Sequence, residues 1–271
     1  MRANASMETA YSEMSNLLRG KRGIVLGILN KRSAAAACIK SLREAGAEVI
    51  GSYLPDTDGT NRRRNLALSA VSPLGEENLL PCDIKNDESI GQFFDAVRTR
   101  WSAIDFVVYA IAHVAHSETL TSLGRDDFHD SLEVSVFGFL RVAAQAKVLL
   151  AAGGSLIALS YVASTGIVRG YHALGLCKSA LESAVRYVAD ELGPSHVRVN
   201  ALSLAPFASA ASLGNSRFVS LSAQYEAATP LRRLPQLGEM VGSLVFLVSD
   251  LSSAVTGDVL FADAGYHLTL G

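Results

Sequence analysis

The sequence predicts an α/β fold built on a doubly wound, parallel, seven-stranded sheet with helices on both faces. Three observations predict it. Short apolar runs alternate with helix-like segments from residue 22 to the end. Those runs are apolar on both faces, as strands covered from both sides must be. Repeated strand–helix units close through right-handed crossovers, which winds the sheet both ways from its middle.

The elements follow in order. RGIVLGIL (22–29) reads as the first strand. SAAAACIKSLREAG (33–46) reads as a helix, alanine-rich at its start and stopped by glycine. AEVIGSY (47–53) is the second strand, and NLLPCDI (78–84) contains the third. DESIGQFFDAVRTRW (87–101) is an amphipathic helix, and IDFVVYAIA (104–112) the fourth strand. RDDFHDSLEVSVFGFLRVAAQAKVLLAAG (125–153) reads as one long helix ending at Gly153-Gly154. SLIALSY (155–161) is the fifth strand, followed by a helix from Tyr171 to Gly193. HVRVNALSL (196–204) is the sixth strand, EMVGSLVFLVSDLS (239–252) another helix, and DVLFADA (258–264) the seventh strand. Residues 54–77 and 205–230 read as irregular, and the second stretch is long enough to cover a substrate.

Length and composition set limits. The chain has 271 residues, 49% of them hydrophobic, which is enough to fill a sizeable core. With no linker and no repeat, 20–271 reads as a single domain behind an extension at 1–19. A net charge of -2 and a lone basic run, Arg62-Arg63-Arg64, give no sign of a nucleic-acid partner. No apolar stretch reaches membrane-spanning length, and the first nineteen residues lack the apolar core of a secretory signal. Cys38, Cys82 and Cys177 are widely spaced, which favours reduced, packed thiols over a zinc site or a disulfide framework. The expected location is the cytoplasm, with no metal.

The chemistry concentrates between Ser160 and Gly193. Tyr171 and Lys178 are seven residues apart, close to two helical turns, and so share one helix face. A phenol beside an ammonium is a proton donor beside the charge that eases donation. The same spacing also suits a buried aromatic and a snorkelling lysine. Tyr161 precedes Tyr171 by ten residues. The first strand–helix junction, GILNKRSAAA, offers Gly27 for a tight turn and Ser33 as a helix cap, so that helical N–H groups face a pyrophosphate. It lacks the later glycines of GxGxxG. Together with Asp83-Ile84 after the third strand and YAIA after the fourth, it reads as a dinucleotide crevice in a Rossmann-like sheet.

GILNKRS (27–33), CDI (82–84), LSY (159–161), YHALGLCKSALESAVRYVADELGPSHVRVNALS (171–203) and TPLRR (229–233) give the chain its resemblance to a known family. It resembles the divergent short-chain dehydrogenase/reductases that contain the bacterial enoyl-acyl-carrier-protein reductases, over about residues 20–268. Ordinary members place a catalytic serine where this chain has Ala158. The resemblance implies NADH-dependent reduction of a 2-enoyl thioester on acyl carrier protein in fatty-acid synthesis, with NADPH left open.

It implies that Tyr171 bonds the thioester carbonyl, that Lys178 holds the nicotinamide ribose, and that Tyr161 is a second active-site tyrosine. Gly27, Ser33 and Ala34 match the pyrophosphate turn. Leu54 stands at the adenosine position, Asp83 and Ile84 at the adenine, and Ile111 at the nicotinamide. Phe207, Ala208, Ser209, Ala210 and Ala211 match the carboxamide loop, and Val114 and Phe218 join the two tyrosines around the substrate.

Ala37, Ala112, Ala205 and Ala264 replace family glycines. They keep two other readings open: a reductase of a specialised-metabolite alkene or carbonyl, and a nucleotide-binding protein with little catalysis. Asp56 and Asp58 would repel a cofactor 2′-phosphate, whereas Arg62 to Arg64 would bind one. Segments 125–153 and 171–193 are apolar around much of their surfaces, and the resemblance implies a homotetramer, with a dimer as the alternative.

Overall fold

A computed structural model of the chain describes residues 16–269, apart from Pro73, 114–118, 169–170 and 208–223. Seven parallel strands form one sheet: β1 (Arg22–Leu26), β2 (Glu48–Tyr53), β3 (Leu79–Pro81), β4 (Ile104–Tyr109), β5 (Leu150–Tyr161), β6 (Arg198–Leu204) and β7 (Val259–Ala262). Their spatial order is β3-β2-β1-β4-β5-β6-β7. Chain order therefore reverses between β1 and β4, which pair from Gly23↔Phe106 to Leu26↔Tyr109. The expected doubly wound, Rossmann-like sheet is present, with its crevice at the carboxyl ends of these two strands.

Helices cover both faces. Helix α1 (Ala34–Glu44) turns Ala35, Cys38, Ile39 and Leu42 inward. It packs with Met240, Val241, Leu244 and Leu247, which project from the later helix Leu237–Val248, in one core cluster. On the other face, α3 (Asp87–Arg98) starts where the Asn86 side chain accepts from the Ser89 N–H. Asp87 and Glu88 in its first turn complement the helix dipole. Its Ile90, Phe93, Phe94 and Val97 join Phe139 and Leu181 in the second cluster. Leu18 is fully buried and donates its N–H to the Ala45 carbonyl, so the chain is already packed before β1.

Three expectations need correction. The stretch 54–77 is not wholly irregular, because Arg62–Ala70 forms helix α2. That helix buries only Ala67, so it has no apolar stripe to betray it in the sequence. The long helix expected over 125–153 is three pieces: α4 (Arg125–Leu132), a π-helical turn at Glu133–Phe137, and α5 (Gly138–Ala146). Its expected tail is instead the start of β5. Leu150 pairs with Ile104, and Gly153, at φ +86°, donates its N–H to the His196 carbonyl. Sheet partners override the helix preference of LAA there.

The remaining ends differ from the expected ones by a few residues, as hydrogen-bonded termini commonly do. The helix after β5, α6, runs from His172 to Leu192, and the last helix, α7, from Leu237 to Val248. Within the stretch 205–230, residues 224–228 are helical.

Candidate active site

The carboxyl ends of β1 and β4 meet at Gly27. Its φ is +104°, and a Cβ there would lie 2.8 Å from the Ala110 carbonyl oxygen and 2.7 Å from Ile111 Cγ1. Only glycine fits both the dihedral and the space. The turn brings Gly27, Ile111 and the start of α1 to one edge of the crevice. Ser33 precedes α1 but does not cap it as expected. Its hydroxyl turns back to donate to the Asn30 carbonyl at 2.7 Å. The Ala36 and Ala37 N–H groups donate to the Ser33 carbonyl, at 3.1 and 3.4 Å, so at the start of α1 it is the N–H of half-buried Ala34 that can face a ligand.

Of the other predicted contacts, those the structure describes follow β2, β3 and β6. Leu54 is exposed just past β2. Asp83 follows β3, where its carboxylate accepts the Lys85 N–H at 3.0 Å. Ile84 is buried against Gly138 and Tyr109; a Cβ on Gly138 would sit 2.6 Å from each. Phe207, half-buried, packs on the core after β6. Val114, Ala208, Ser209, Ala210, Ala211 and Phe218 lie outside the described residues. His113 is exposed, and its Nε2 meets the Asp130 carboxylate at 3.2 Å.

The basic run is largely engaged by the protein itself. The Arg63 guanidinium donates to the Pro55 carbonyl at 3.0 Å, and its backbone N–H to Asp56 at 2.9 Å. Arg64 pairs with Glu76 at 2.7 Å.

Across the crevice, Tyr161 ends β5, and a 3₁₀ turn at Val162–Ser164 leads toward Tyr171, the residue before α6. The two tyrosine rings lie 5.4 Å apart, centroid to centroid, at 52°. Gly175 lets α6 approach this closely: a Cβ there would sit 2.7 Å from the Ala163 carbonyl oxygen. Ser179 fastens the same contact by donating to the Ser164 carbonyl at 2.6 Å.

Lys178, two turns along α6, is buried and donates to the Leu159 carbonyl on β5 at 2.7 Å. Burial brings its pKa down to about 8, although Cys177 and Glu182 pull it up. Burial also raises the Tyr171 phenol, with Tyr225 adding to the effect. Tyr161 is raised further, first by burial and then by its phenol neighbours Tyr225 and Tyr171. Tyr161 and Tyr171 thus meet ring to ring, and Lys178 is anchored to the strand that ends in Tyr161; Tyr171 itself stands just before the helix rather than on the face it was expected to share with Lys178.

Three further residues enter the site that the sequence did not reveal. Glu182, buried one turn past Lys178, accepts a hydrogen bond from Ser160. Tyr225 and Tyr266 pack into one cluster with Tyr161, Val162, Ala163 and Val168. Glu182 had a readable signal, since it lies four residues after Lys178 on the same helix face. The two tyrosines come from distant segments and had none.

The sequence model of the family described as Enoyl-(Acyl carrier protein) reductase matches residues 27–267. An NADH enoyl-acyl-carrier-protein reductase of Nostoc sp. is 37% identical over 93% of this chain and 98% of its own length. A second such reductase, from Rhizobium meliloti, is 35% identical over 94% and 95%. Among solved structures, the Bacillus cereus enoyl-acyl carrier protein reductase with NADP+ and an indole naphthyridinone superposes with a TM-score of 0.87. It is 32% identical and covers 93% of this chain and 98% of that one. The Anaplasma phagocytophilum reductase in complex with NAD gives 0.84 at 34% identity, over 93% and 95%.

Proposed function

The chain belongs to the enoyl-(acyl carrier protein) reductase family, and from that premise we propose that it reduces the 2,3 double bond of a 2-enoyl thioester carried on acyl carrier protein. It is an NADH-dependent oxidoreductase of fatty-acid synthesis. The observation that carries the reading is the wall formed by Tyr161, Tyr171 and buried Lys178 beside the β1–β4 crevice.

The residues present fit a nicotinamide dinucleotide. Gly27 closes a turn that a Cβ would obstruct, and small Ala34 opens the helix beside it. These two, with Ser33, would hold the pyrophosphate. Leu54, Asp83 and Ile84 would border the adenosine, while Ile111 and Phe207 to Ala211 would border the nicotinamide. Lys178 directs one donor at Leu159 and keeps two for the ribose hydroxyls. The engagement of Arg63 by Pro55 and Asp56, and of Arg64 by Glu76, supports NADH over its 2′-phosphorylated form.

NADH supplies the hydride that the β-carbon of the enoyl group receives. Negative charge then grows on the thioester oxygen as an enolate, which collapses when its α-carbon takes up a proton supplied by solvent, completing the saturated thioester. Tyr171 donates its phenol proton in a hydrogen bond to that oxygen, where the interaction strengthens as charge develops. The Lys178 ammonium is assigned to stabilise the same charge through space. Tyr161 stands against Tyr171 and limits its ring. Val114 and Phe218 are assigned to the acyl chain.

We also infer one reductase domain over residues 20–271, with 205–230 covering the substrate, and a cytoplasmic location. Among the described residues, no helix is long and apolar enough to cross a membrane. Homotetramer formation is supported by exposed Phe137, Leu140, Val148, Leu176 and Tyr187 on segments 125–153 and 171–193. Sedimentation equilibrium decides this, and a mass of one chain at all concentrations rejects it.

The activity is tested by following NADH absorbance with crotonyl and longer 2-enoyl thioesters, free and on acyl carrier protein. Turnover with a thioester preference supports the proposal. No turnover with NADH or NADPH at any chain length rejects it.

A further inference from the structure

The last three residues of β5 are each met by α6 or by the residue that leads into it. The Leu159 carbonyl accepts Lys178, and the Tyr161 ring meets that of Tyr171. Between them, the Ser160 hydroxyl donates to the Glu182 carboxylate. This middle contact has no assigned role.

Strand alternation explains why Ser160 faces the helix. Leu156 and Ala158 pack in one cluster with Leu181 and Val185 of α6, while Leu159 packs in the cluster on the opposite face of the sheet. Ser160, two residues beyond Ala158, therefore points to α6. Its register partner on β6 is Ser203, two residues beyond Ala201 of the same cluster and so on the same face. Both serines are buried. The Ser203 hydroxyl, unlike that of Ser160, has no hydrogen-bond partner among the described residues.

Glu182 is the costly member. Among the buried residues of α6, Lys178 and Glu182 alone are charged. A carboxylate taken out of water destabilises a fold unless hydrogen bonds compensate it, whereas a leucine there would carry no such cost. Stability alone therefore does not account for Glu182.

We propose that Ser160 and Glu182 are positioning residues for the reduction. Their hydrogen bond fixes the end of β5 against α6, and with it the Leu159 carbonyl that aims Lys178 and the ring of Tyr161 beside Tyr171. Leu159 and Tyr161 flank Ser160 directly, so a shift of Ser160 reaches each through one planar peptide unit. This inference rests on the reductase reading.

The test removes each end of the tie. Ser160→Ala deletes the donor and Glu182→Leu the acceptor. Single turnovers of a 2-enoyl thioester are followed at about pH 6, where Lys178, with its value of about 8, keeps its charge. Each variant should slow reduction roughly fivefold or more, with KM for the thioester held within about twofold. A purely structural tie would lower the melting temperature and leave the rate of the folded protein untouched. Glu182→Gln keeps an acceptor and should return to within about twofold of the wild-type rate. The double variant Ser160→Ala/Glu182→Leu should be no slower than the slower single variant, because both act through one hydrogen bond. Ser203→Ala, which deletes the neighbouring buried hydroxyl, should leave the rate unchanged. A wild-type rate for Ser160→Ala overturns the proposal. So do multiplying losses in the double variant, an equal loss in Ser203→Ala, or a Glu182→Gln as slow as Glu182→Leu.

A second measurement needs no turnover. In protein carrying ¹³C-labelled glutamate carboxyls, the Glu182 signal should move on Ser160→Ala and stay in place on Ser203→Ala. A signal unmoved by Ser160→Ala overturns the contact even in an active enzyme. A moved signal in a protein whose wild type turns over no thioester leaves the contact standing and rejects the reductase reading instead.

Discussion

The Lys178 ammonium donates a 2.7 Å hydrogen bond to the carbonyl of Leu159, two residues before Tyr161 on the same strand. Helix α6 and strand β5 are thus joined through the lysine proposed to serve the reaction. A displacement of either element moves Tyr161, on the strand, relative to Tyr171 and Lys178, which travel with the helix.

Burial of that ammonium has a consequence for stability. Its pKa falls from the ordinary lysine value of 10.5 to about 8 in the fold. Between these values the unfolded chain binds a proton that the folded chain has released, so stability rises with pH across that window and is lowest below it. Lys178→Met removes the titration. In cofactor-free protein the variant should therefore be more stable than the wild type at neutral pH, by on the order of 2 kcal/mol. The gap should close as pH rises toward 10. Urea unfolding at each pH measures it. A gap that stays constant would show that Lys178 does not titrate there.

Tyr171→Phe isolates the hydroxyl at the substrate. The ring keeps its place against Tyr161, so folding and NADH binding should persist. Loss of a donor that works hardest in the transition state should lower kcat by roughly 100-fold. Single-turnover kinetics report the chemical step directly. Wild-type kinetics in that experiment would remove Tyr171 from the mechanism.

Gly175→Ala tests the helix seat. The new methyl would lie 2.7 Å from the Ala163 carbonyl oxygen, and a backbone oxygen on a tight turn cannot swing aside. Helix α6 must shift, taking Tyr171 and Lys178 with it. We expect a loss of activity of roughly tenfold or more, out of proportion to a modest drop in melting temperature. Gly242→Ala in α7 is the comparison. Its Cβ meets nothing within 4 Å, so it should stabilise the helix by about 0.5–1 kcal/mol and leave turnover unchanged.

The sequence carried the sheet because it is written in short-range patterns, and the same patterns nominated the candidate wall. Strands such as IDFVVYA announce themselves by unbroken apolar runs, and Tyr171 and Lys178 by helical spacing. Three features were hidden for physical reasons. Helix α2 buries one alanine and shows no periodicity. The start of β5 looked helical because LAA favours a helix, but Leu150 pairs with Ile104 and Gly153 with His196. Tyr225 and Tyr266 reach Tyr161 only through tertiary packing, which no local spacing records. Ser33 misled in the other direction: a serine at a helix start usually caps, but here the Asn30 carbonyl captures its hydroxyl.

Ala264 offers the last prediction. It sits after β7 at φ +57°, a left-handed conformation that costs a residue with a Cβ roughly 1 kcal/mol. Its carbonyl accepts the Leu231 N–H at 3.4 Å, so the chain holds it there by contacts from the TPLRR segment. Ala264→Gly should relieve the strain and raise stability by somewhat less than that, since glycine also loosens the unfolded chain. For a protein of this size the melting temperature should rise by about 2 °C. Gly265→Ala, one residue on, should do the opposite and more strongly. Its φ is +83°, and the added methyl would lie 2.7 Å from the Pro230 ring. Calorimetry of the two variants reads both signs, and a destabilised Ala264→Gly would show that the methyl packs favourably enough to outweigh its backbone strain.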